Sequence, residues 1–176
     1  MLEIEMKAYC DDLETVAKRL MTMGAVKCGS MNQVDTYFVH PSRNFADTDE
    51  ALRVRVEDGK CTLTYKGPKL DFTTKTREEI EVVISDCKLL VELLVRLGFR
   101  PLREVIKERT VFSKDSLTIC LDRVEGLGDF VEIEYSGTNL DKGKEEISSM
   151  MNELNLRRNE RRSYLELLLL ADSLRK

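Results

Sequence analysis

Residues 2–9 alternate, with Leu2, Ile4, Met6 and Ala8 on one face and Glu3, Glu5, Lys7 and Tyr9 on the other, the period of a strand. A helical stripe of Leu13, Val16, Leu20 and Met23 follows, with Asp11 or Asp12 as its cap and Gly24 as its stop. The pattern then predicts a strand over 34–39, a loop over 41–50, and a hairpin of 52–56 and 61–66 turning on Asp58-Gly59. From Glu79 the scheme starts again: a strand at 79–81, a helix capped by Asp86 and ended by Gly98, and a return strand through Phe112. Glu3 to Glu79 is an offset of 76, while Gly24 to Gly98 and Phe38 to Phe112 are both 74.

Two copies of a strand-helix-strand-hairpin unit predict an α+β chain whose strands join in one antiparallel sheet or barrel. The second hairpin turns near Lys114-Asp115, and 117–122 leaves it. Gly126-Leu-Gly128 reads as a turn before an alternating strand over 130–135, and it lacks the spacing and setting of a dinucleotide loop. Helices over 141–154 and 163–174 finish the chain, joined by a basic link at Arg157, Arg158, Arg161 and Arg162. That link reads as a solvated helix junction, with coverage of an anion site as its functional alternative. Residues 67–77 read as a mobile loop, and nothing marks an interdomain linker, so 1–176 is one domain.

The charges sharpen this picture. Strand after strand sets ionised side chains, rather than neutral polar ones, opposite its apolar face: Glu3, Glu5, Glu79, Glu81, Asp122, Glu132 and Glu134 among the acids, Lys7, Arg53, Arg55, Lys66, Lys107 and Arg109 among the bases. For one strand a solvated face is the better account. Three ExE pairs, an RxR pair and a KxR pair on different strands favour a shared functional surface. If the sheet curls, these groups converge where unpaired charge is very costly, so they neutralise one another or a ligand. Carboxylates suit a hard cation such as Mg²⁺ or Mn²⁺, and Arg with Lys suits phosphate oxygens. Together they describe a metal-bound polyphosphate.

Composition removes alternatives. Lys+Arg 28 against Asp+Glu 32 gives a net charge of −4, which argues against a nucleic-acid or anionic-membrane partner. The N-terminus lacks the apolar run of a signal peptide, the Leu165–Leu170 run is too short to span a membrane, and the expected compartment is the cytoplasm. The exposed part of that run offers a contact for a homodimer. Five cysteines, odd in number and without a CxxC pair, point away from structural disulfides and from zinc, and without a histidine nearby in sequence they read as small buried residues. The single histidine, His40 beside Pro41, reads as a loop residue, and Met21, Met23, Met150 and Met151 read as core filling.

Glu3-Ile-Glu-Met-Lys7 resembles the ExExK signature of the CYTH superfamily, named for CyaB adenylyl cyclases and thiamine triphosphatases. Asp35-Thr-Tyr-Phe38, His40-Pro41, Arg43-Asn-Phe45, the segment from Asp49 to Arg55, Lys66-Gly-Pro68, Arg77 with Glu79 and Glu81, Lys107-Glu-Arg109, Leu121-Asp-Arg-Val124, Leu127-Gly128, Phe130-Val-Glu-Ile-Glu134 and the segment from Ser163 to Leu168 resemble it in order, over nearly the whole chain. The 49–55 segment with its upstream His-Pro resembles the class IV adenylyl cyclase branch most.

The resemblance implies a triphosphate tunnel, a closed or nearly closed eight-stranded antiparallel barrel with helices outside. It implies Glu3, Glu5, Asp122, Glu132 and Glu134 as ligands for Mg²⁺ or Mn²⁺, with Lys7, Arg53, Arg55, Lys66, Lys107 and Arg109 gripping the triphosphate and Glu79 and Glu81 as further tunnel residues. The implied reaction is ATP to cyclic AMP and pyrophosphate; the alternatives are an inorganic or organic triphosphatase and a noncatalytic nucleotide or polyphosphate binder. No residue is assigned as general base. The absence of tryptophan makes thiamine triphosphate the less attractive substrate, since stacking would fall to residues such as Tyr37 or Phe45.

Overall fold

A computed structural model describes residues 2–69 and 77–175, with side chains from Ile4 onward. The strands are β1 (Leu2–Tyr9), β2 (Val26–Val39), β3 (Ala51–Glu57), β4 (Lys60–Lys66), β5 (Arg77–Ile84), β6 (Arg100–Lys114), β7 (Leu117–Val124) and β8 (Gly128–Tyr135). The helices are α1 (Leu13–Thr22), α2 (Phe45–Thr48), α3 (Cys87–Arg96), α4 (Leu140–Glu153) and α5 (Tyr164–Leu174). The expected loop over 67–77 lies outside the described residues at 70–76.

All eight strands pair antiparallel in the barrel order β1-β5-β4-β3-β2-β6-β7-β8. Each half supplies three contiguous strands, β2-β3-β4 and β6-β7-β8. The first strand of each half crosses over, so that β1 lies beside β8 and β5 beside β4. That exchange is the structural meaning of the repeat. Closure is partial: Leu2↔Glu78 and Glu3↔Arg77 are the pairs that join β1 to β5. The next stretch of that β1 edge is taken by residues 158–160, where Tyr9 N donates to Arg158 O at 3.0 Å and Glu160 N to Lys7 O at 2.8 Å.

Alternation fixes which face goes where. Ile4 and Ala8 of β1, Ile119 and Leu121 of β7 and Val131 and Ile133 of β8 form a core with α1 and α4, through Leu20, Ile147, Met150 and Met151. A smaller core places Leu94 of α3 on Phe38, Val54 and Cys61. Tyr164, Leu167 and Leu168 of α5 join Tyr37, Val105, Val124 and Phe130. The first two cores leave the opposite strand parity for the charges, whereas Tyr37, Val105, Val124 and Phe130 share the parity of Asp35, Lys107, Asp122 and Glu132 and continue the charged face beneath α5.

The turns follow their chemistry. Asp58 and Gly59 take φ of 46° and 80°, the paired positive values of a tight hairpin turn, and Asp115 at 53° turns β6 into β7. Asp12 rather than Asp11 caps α1, Asp86 caps α3, and Ser163 with Glu166 forms a reciprocal capping box on α5.

Three expectations are corrected. The second strand begins at Val26, not near residue 34, because 26–33 is mostly exposed and pairs chiefly with β6, so no apolar alternation announces it. The loop over 41–50 contains α2, capped by Asn44. Cys61 and Cys87 form a disulfide, against the expectation from cysteine count; the end of α3 meets β4 with the two Cα atoms 5.7 Å apart, a proximity that a spacing of 26 residues does not reveal. Cys10, Cys28 and Cys120 are free thiols.

Candidate active site

Cross-strand register stacks the charged parity in rows. Arg53 of β3 is opposite Tyr37 and Thr64, and Thr64 is opposite Glu81. Arg55 is opposite Asp35. Arg109 is opposite Asp122, Lys66 opposite Glu79, and Lys7 and Glu5 opposite Glu132 and Glu134. The barrel thus turns sequence alternation into one lining. A cavity of about 810 Å³ is bounded by Glu5, Arg53, Arg55, Lys66, Glu79, Glu81, Lys107, Arg109, Glu132 and Glu134, together with Asp35 and Tyr164.

The cations are held by carboxylates. Arg55 grips Asp35 with two parallel bonds of 2.6 and 2.7 Å, the planar fork-on-fork geometry. Arg109 does the same to Asp122, at 2.7 and 2.5 Å, and also reaches Glu132. Lys66 pairs with Glu79. Arg53 donates to the Thr64 hydroxyl at 3.0 Å, Thr64 donates to Glu81 at 3.2 Å, and the buried Arg53 Nε has no hydrogen-bond partner. A buried donor left in that state is an open place for an acceptor.

Burial and charge set the protonation states. Burial would raise the Asp35 carboxyl, but the Arg55 hydrogen bonds and the Arg53 and Lys107 charges overturn this and hold it well below the usual range. For Lys107 burial prevails, reinforced by the Arg109 charge, and its ammonium is brought down to about 8. Burial would weaken the Arg109 cation; Asp122 and Glu132 more than compensate. Burial pushes the Cys120 thiol up to about 12, which leaves it protonated rather than nucleophilic.

Lys7 sits elsewhere. It is fully buried, donates to Arg162 O at 2.6 Å, lies 3.9 Å from the Tyr164 ring centroid and 4.0 Å from Glu132, and is absent from the cavity lining. Tyr164 donates to Asp122 at 2.8 Å, so this carboxylate is wrapped by Arg109 and Tyr164 together and does not line the cavity either. Three of the four arginines of the basic link are held by neighbours of their own: Arg162 by Glu160, Arg158 by Asp11 and Arg157 by Asn155.

The acidic lining fits a hard divalent cation in donor type, being carboxylate oxygen without sulfur or imidazole. Among the described residues no three acidic, histidine or cysteine groups form a ready-made metal cluster. The side chain of Glu3 lies outside the described residues.

The CYTH domain family matches residues 1–164, nearly the whole span that builds the barrel and its lining. The chain belongs to the CYTH family. A Methanocaldococcus jannaschii protein provisionally named an adenylate cyclase is 41% identical over 95% of this chain and 98% of its own length. The adenylate cyclase CyaB of Aeromonas hydrophila is 25% identical over 74% of this chain and 67% of its own. The solved structure of PH1819 from Pyrococcus horikoshii has a TM-score of 0.88 and 40% identity, covering 96% of this chain and 99% of that one.

Within this CYTH fold, three residues matter to which the sequence assigned no site role, although Asp35 and Tyr164 stand in segments that resemble the family. Asp35 and Thr64 look like ordinary polar positions until the register sets them against Arg55, Arg53 and Glu81. Tyr164 stands in a helix far along the chain, and only the packing of α5 brings it to Lys7 and Asp122. Asp35 did carry a signal, since it has the parity of Tyr37 and of the RxR strand opposite.

Proposed function

We propose that this CYTH protein binds the triphosphate of ATP in its charged cavity and converts ATP to cyclic AMP and pyrophosphate. The observation that carries the reading is the convergence of Arg53, Arg55, Lys66, Lys107 and Arg109 on one cavity, with an unpartnered buried donor on Arg53. These cations, with Arg77 on the same lining, match a ligand with several negative charges. Glu5, Glu132 and Glu134, with Glu3, are the proposed carboxylates for Mg²⁺ or Mn²⁺, which would supply charge neutralisation along the phosphate chain, whereas Asp122, enclosed by Arg109 and Tyr164, holds Arg109 instead.

The chain's own contribution is positioning and electrostatics. Arg53 Nε and the guanidinium edges not engaged by Asp35 and Asp122 would orient phosphate oxygens, and a site preorganised by folding reorganises little during reaction. The ribose 3′-oxygen forms a bond to the α-phosphorus, the bond from that phosphorus to the β-bridging oxygen breaks, and the 3′-hydroxyl proton is released. Phe45 and Ala46 of α2, Leu102 of β6 and Leu165 and Leu169 of α5 line the same cavity. That apolar portion, and a volume within the roughly 300–1,000 Å³ typical of organic-ligand sites, favour a nucleotide over inorganic triphosphate.

The test is incubation with ATP or inorganic triphosphate and Mg²⁺ or Mn²⁺, with all phosphate products resolved by chromatography. Cyclic AMP with equimolar pyrophosphate is expected. Orthophosphate in its place identifies a triphosphatase, and intact substrate with measurable binding identifies a noncatalytic module.

A further inference from the structure

Asp35 is 1 % exposed, and its one carboxylate meets three of the six cations that line the cavity. Arg55 takes both oxygens, Lys107 Nζ stands 3.7 Å from Oδ2, and Arg53 Nη1 stands 4.0 Å from the same atom. Arg53 and Arg55 come from β3 and Lys107 from β6, the two neighbours of β2 on either side. Asp35 is therefore the central anion of a three-strand cluster. Three cations this close in a buried setting repel one another strongly, and a single fixed carboxylate lowers that cost.

Its chemistry differs from that of the other acids in the lining. With both oxygens held by one guanidinium fork, Asp35 presents its charge to the cations that surround it. An incoming triphosphate is itself an anion and gains nothing from touching a carboxylate. Asp35 thus acts on the substrate only through the side chains it holds.

We propose that Asp35 is a positioning residue for triphosphate chemistry: a built-in counterion that fixes the Arg55 fork and restrains Arg53 and Lys107, lowering anion affinity while enforcing the geometry that turnover requires. This rests on the proposed triphosphate function. It carries a signature that a merely structural role lacks, because affinity and turnover move in opposite directions when the charge is removed. Neutralising Asp35 makes the cavity more positive, so the anion binds more tightly, while Arg55 loses its orientation and the reaction slows.

The experiment compares the full chain with Asp35→Asn, titrating inorganic tripolyphosphate by calorimetry and measuring ATP turnover with Mn²⁺. The expected result is tripolyphosphate affinity raised at least about threefold and turnover lowered about 10- to 100-fold. Affinity falling together with turnover, or turnover unchanged, overturns the assignment. If Asp35→Asn does not fold, Asp35→Glu keeps the charge and displaces it by one methylene: affinity within about twofold of the parent with reduced turnover supports positioning, and parental turnover refutes it. A parent chain that fails to bind tripolyphosphate removes the underlying triphosphate reading, an outcome distinct from a failure confined to the variants.

Discussion

Arg109 and Asp122 form a two-pronged pair, Nε to Oδ1 at 2.7 Å and Nη2 to Oδ2 at 2.5 Å, with Asp122 fully buried and Tyr164 capping it. This pair ties the cavity wall to α5, and both partners depend on it. Replacing Asp122 by Asn takes one of two carboxylates from a buried cation and leaves Glu132, which costs about 3 kcal/mol, the lower end of the range for a broken buried pair. Urea unfolding of Asp122→Asn is expected to show a loss of that size, and a change below about 1 kcal/mol contradicts a tightly coupled buried pair.

Glu5 and Glu134 face one another directly across β1 and β8. Opposed like charges are mildly destabilising in a sheet. Glu5→Gln and Glu134→Gln are therefore expected to leave thermal stability equal or slightly higher, while activity drops at least about 10-fold and needs more Mn²⁺, as loss of a metal-supporting carboxylate does. Loss of stability without a changed Mn²⁺ requirement removes these two from the metal set.

Arg53 brings a buried, unpartnered Nε to the cavity. Charge-assisted hydrogen bonds contribute about 1.5–3 kcal/mol. Arg53→Met is expected to weaken tripolyphosphate binding by roughly 10- to 100-fold, as read by calorimetry. Parental affinity in Arg53→Met places the anion elsewhere.

Lys107 is depressed by burial to about 8, so the free protein loses its ammonium charge as pH rises through that value. Tripolyphosphate affinity is expected to decline above about pH 8, with proton uptake on binding in that range. The stability sign is opposite: between pH 8 and the unfolded lysine value near 10.4 the unfolded chain binds the extra proton, so this group makes folding more favourable as pH rises. Lys107→Arg, always charged, is expected to abolish the proton uptake seen by calorimetry in buffers of different ionisation enthalpy.

Cys61 and Cys87 close a loop of 26 residues between β4 and α3. A loop of that length gives a cross-link worth about 3 kcal/mol in the chain-entropy account. Cys87→Ser is expected to lower the melting temperature under non-reducing conditions, and reductant is expected to lower the parent to the same value. Identical melting curves with and without reductant refute the cross-link.

The halves, the hairpin turns and the charged parity were legible in the sequence because each is local: periodicity, a turn dipeptide or a repeated offset. The 26–33 part of β2 was not legible, since its residues are polar and largely exposed and pairing with β6 replaces burial as the reason for a strand. The same limit applies in the site. Arg53, Arg55, Lys107 and Arg109 were visible as RxR and KxR pairs, whereas Thr64 and Tyr164 acquire meaning only from register and from α5 packing. Lys7 has the right parity, but Tyr164 and the Arg162 carbonyl hold its ammonium away from the cavity. The Cys61–Cys87 contact is set by where α3 docks, which no spacing rule encodes.

The most direct measurement is a crystal structure with α,β-methylene ATP and Mn²⁺, using anomalous scattering to locate the metal. The phosphate chain is expected among Arg53, Arg55, Lys107 and Arg109, with manganese on the carboxylates of β1 and β8. A triphosphate bound outside this cavity, or contacts to none of those four cations, contradicts that placement.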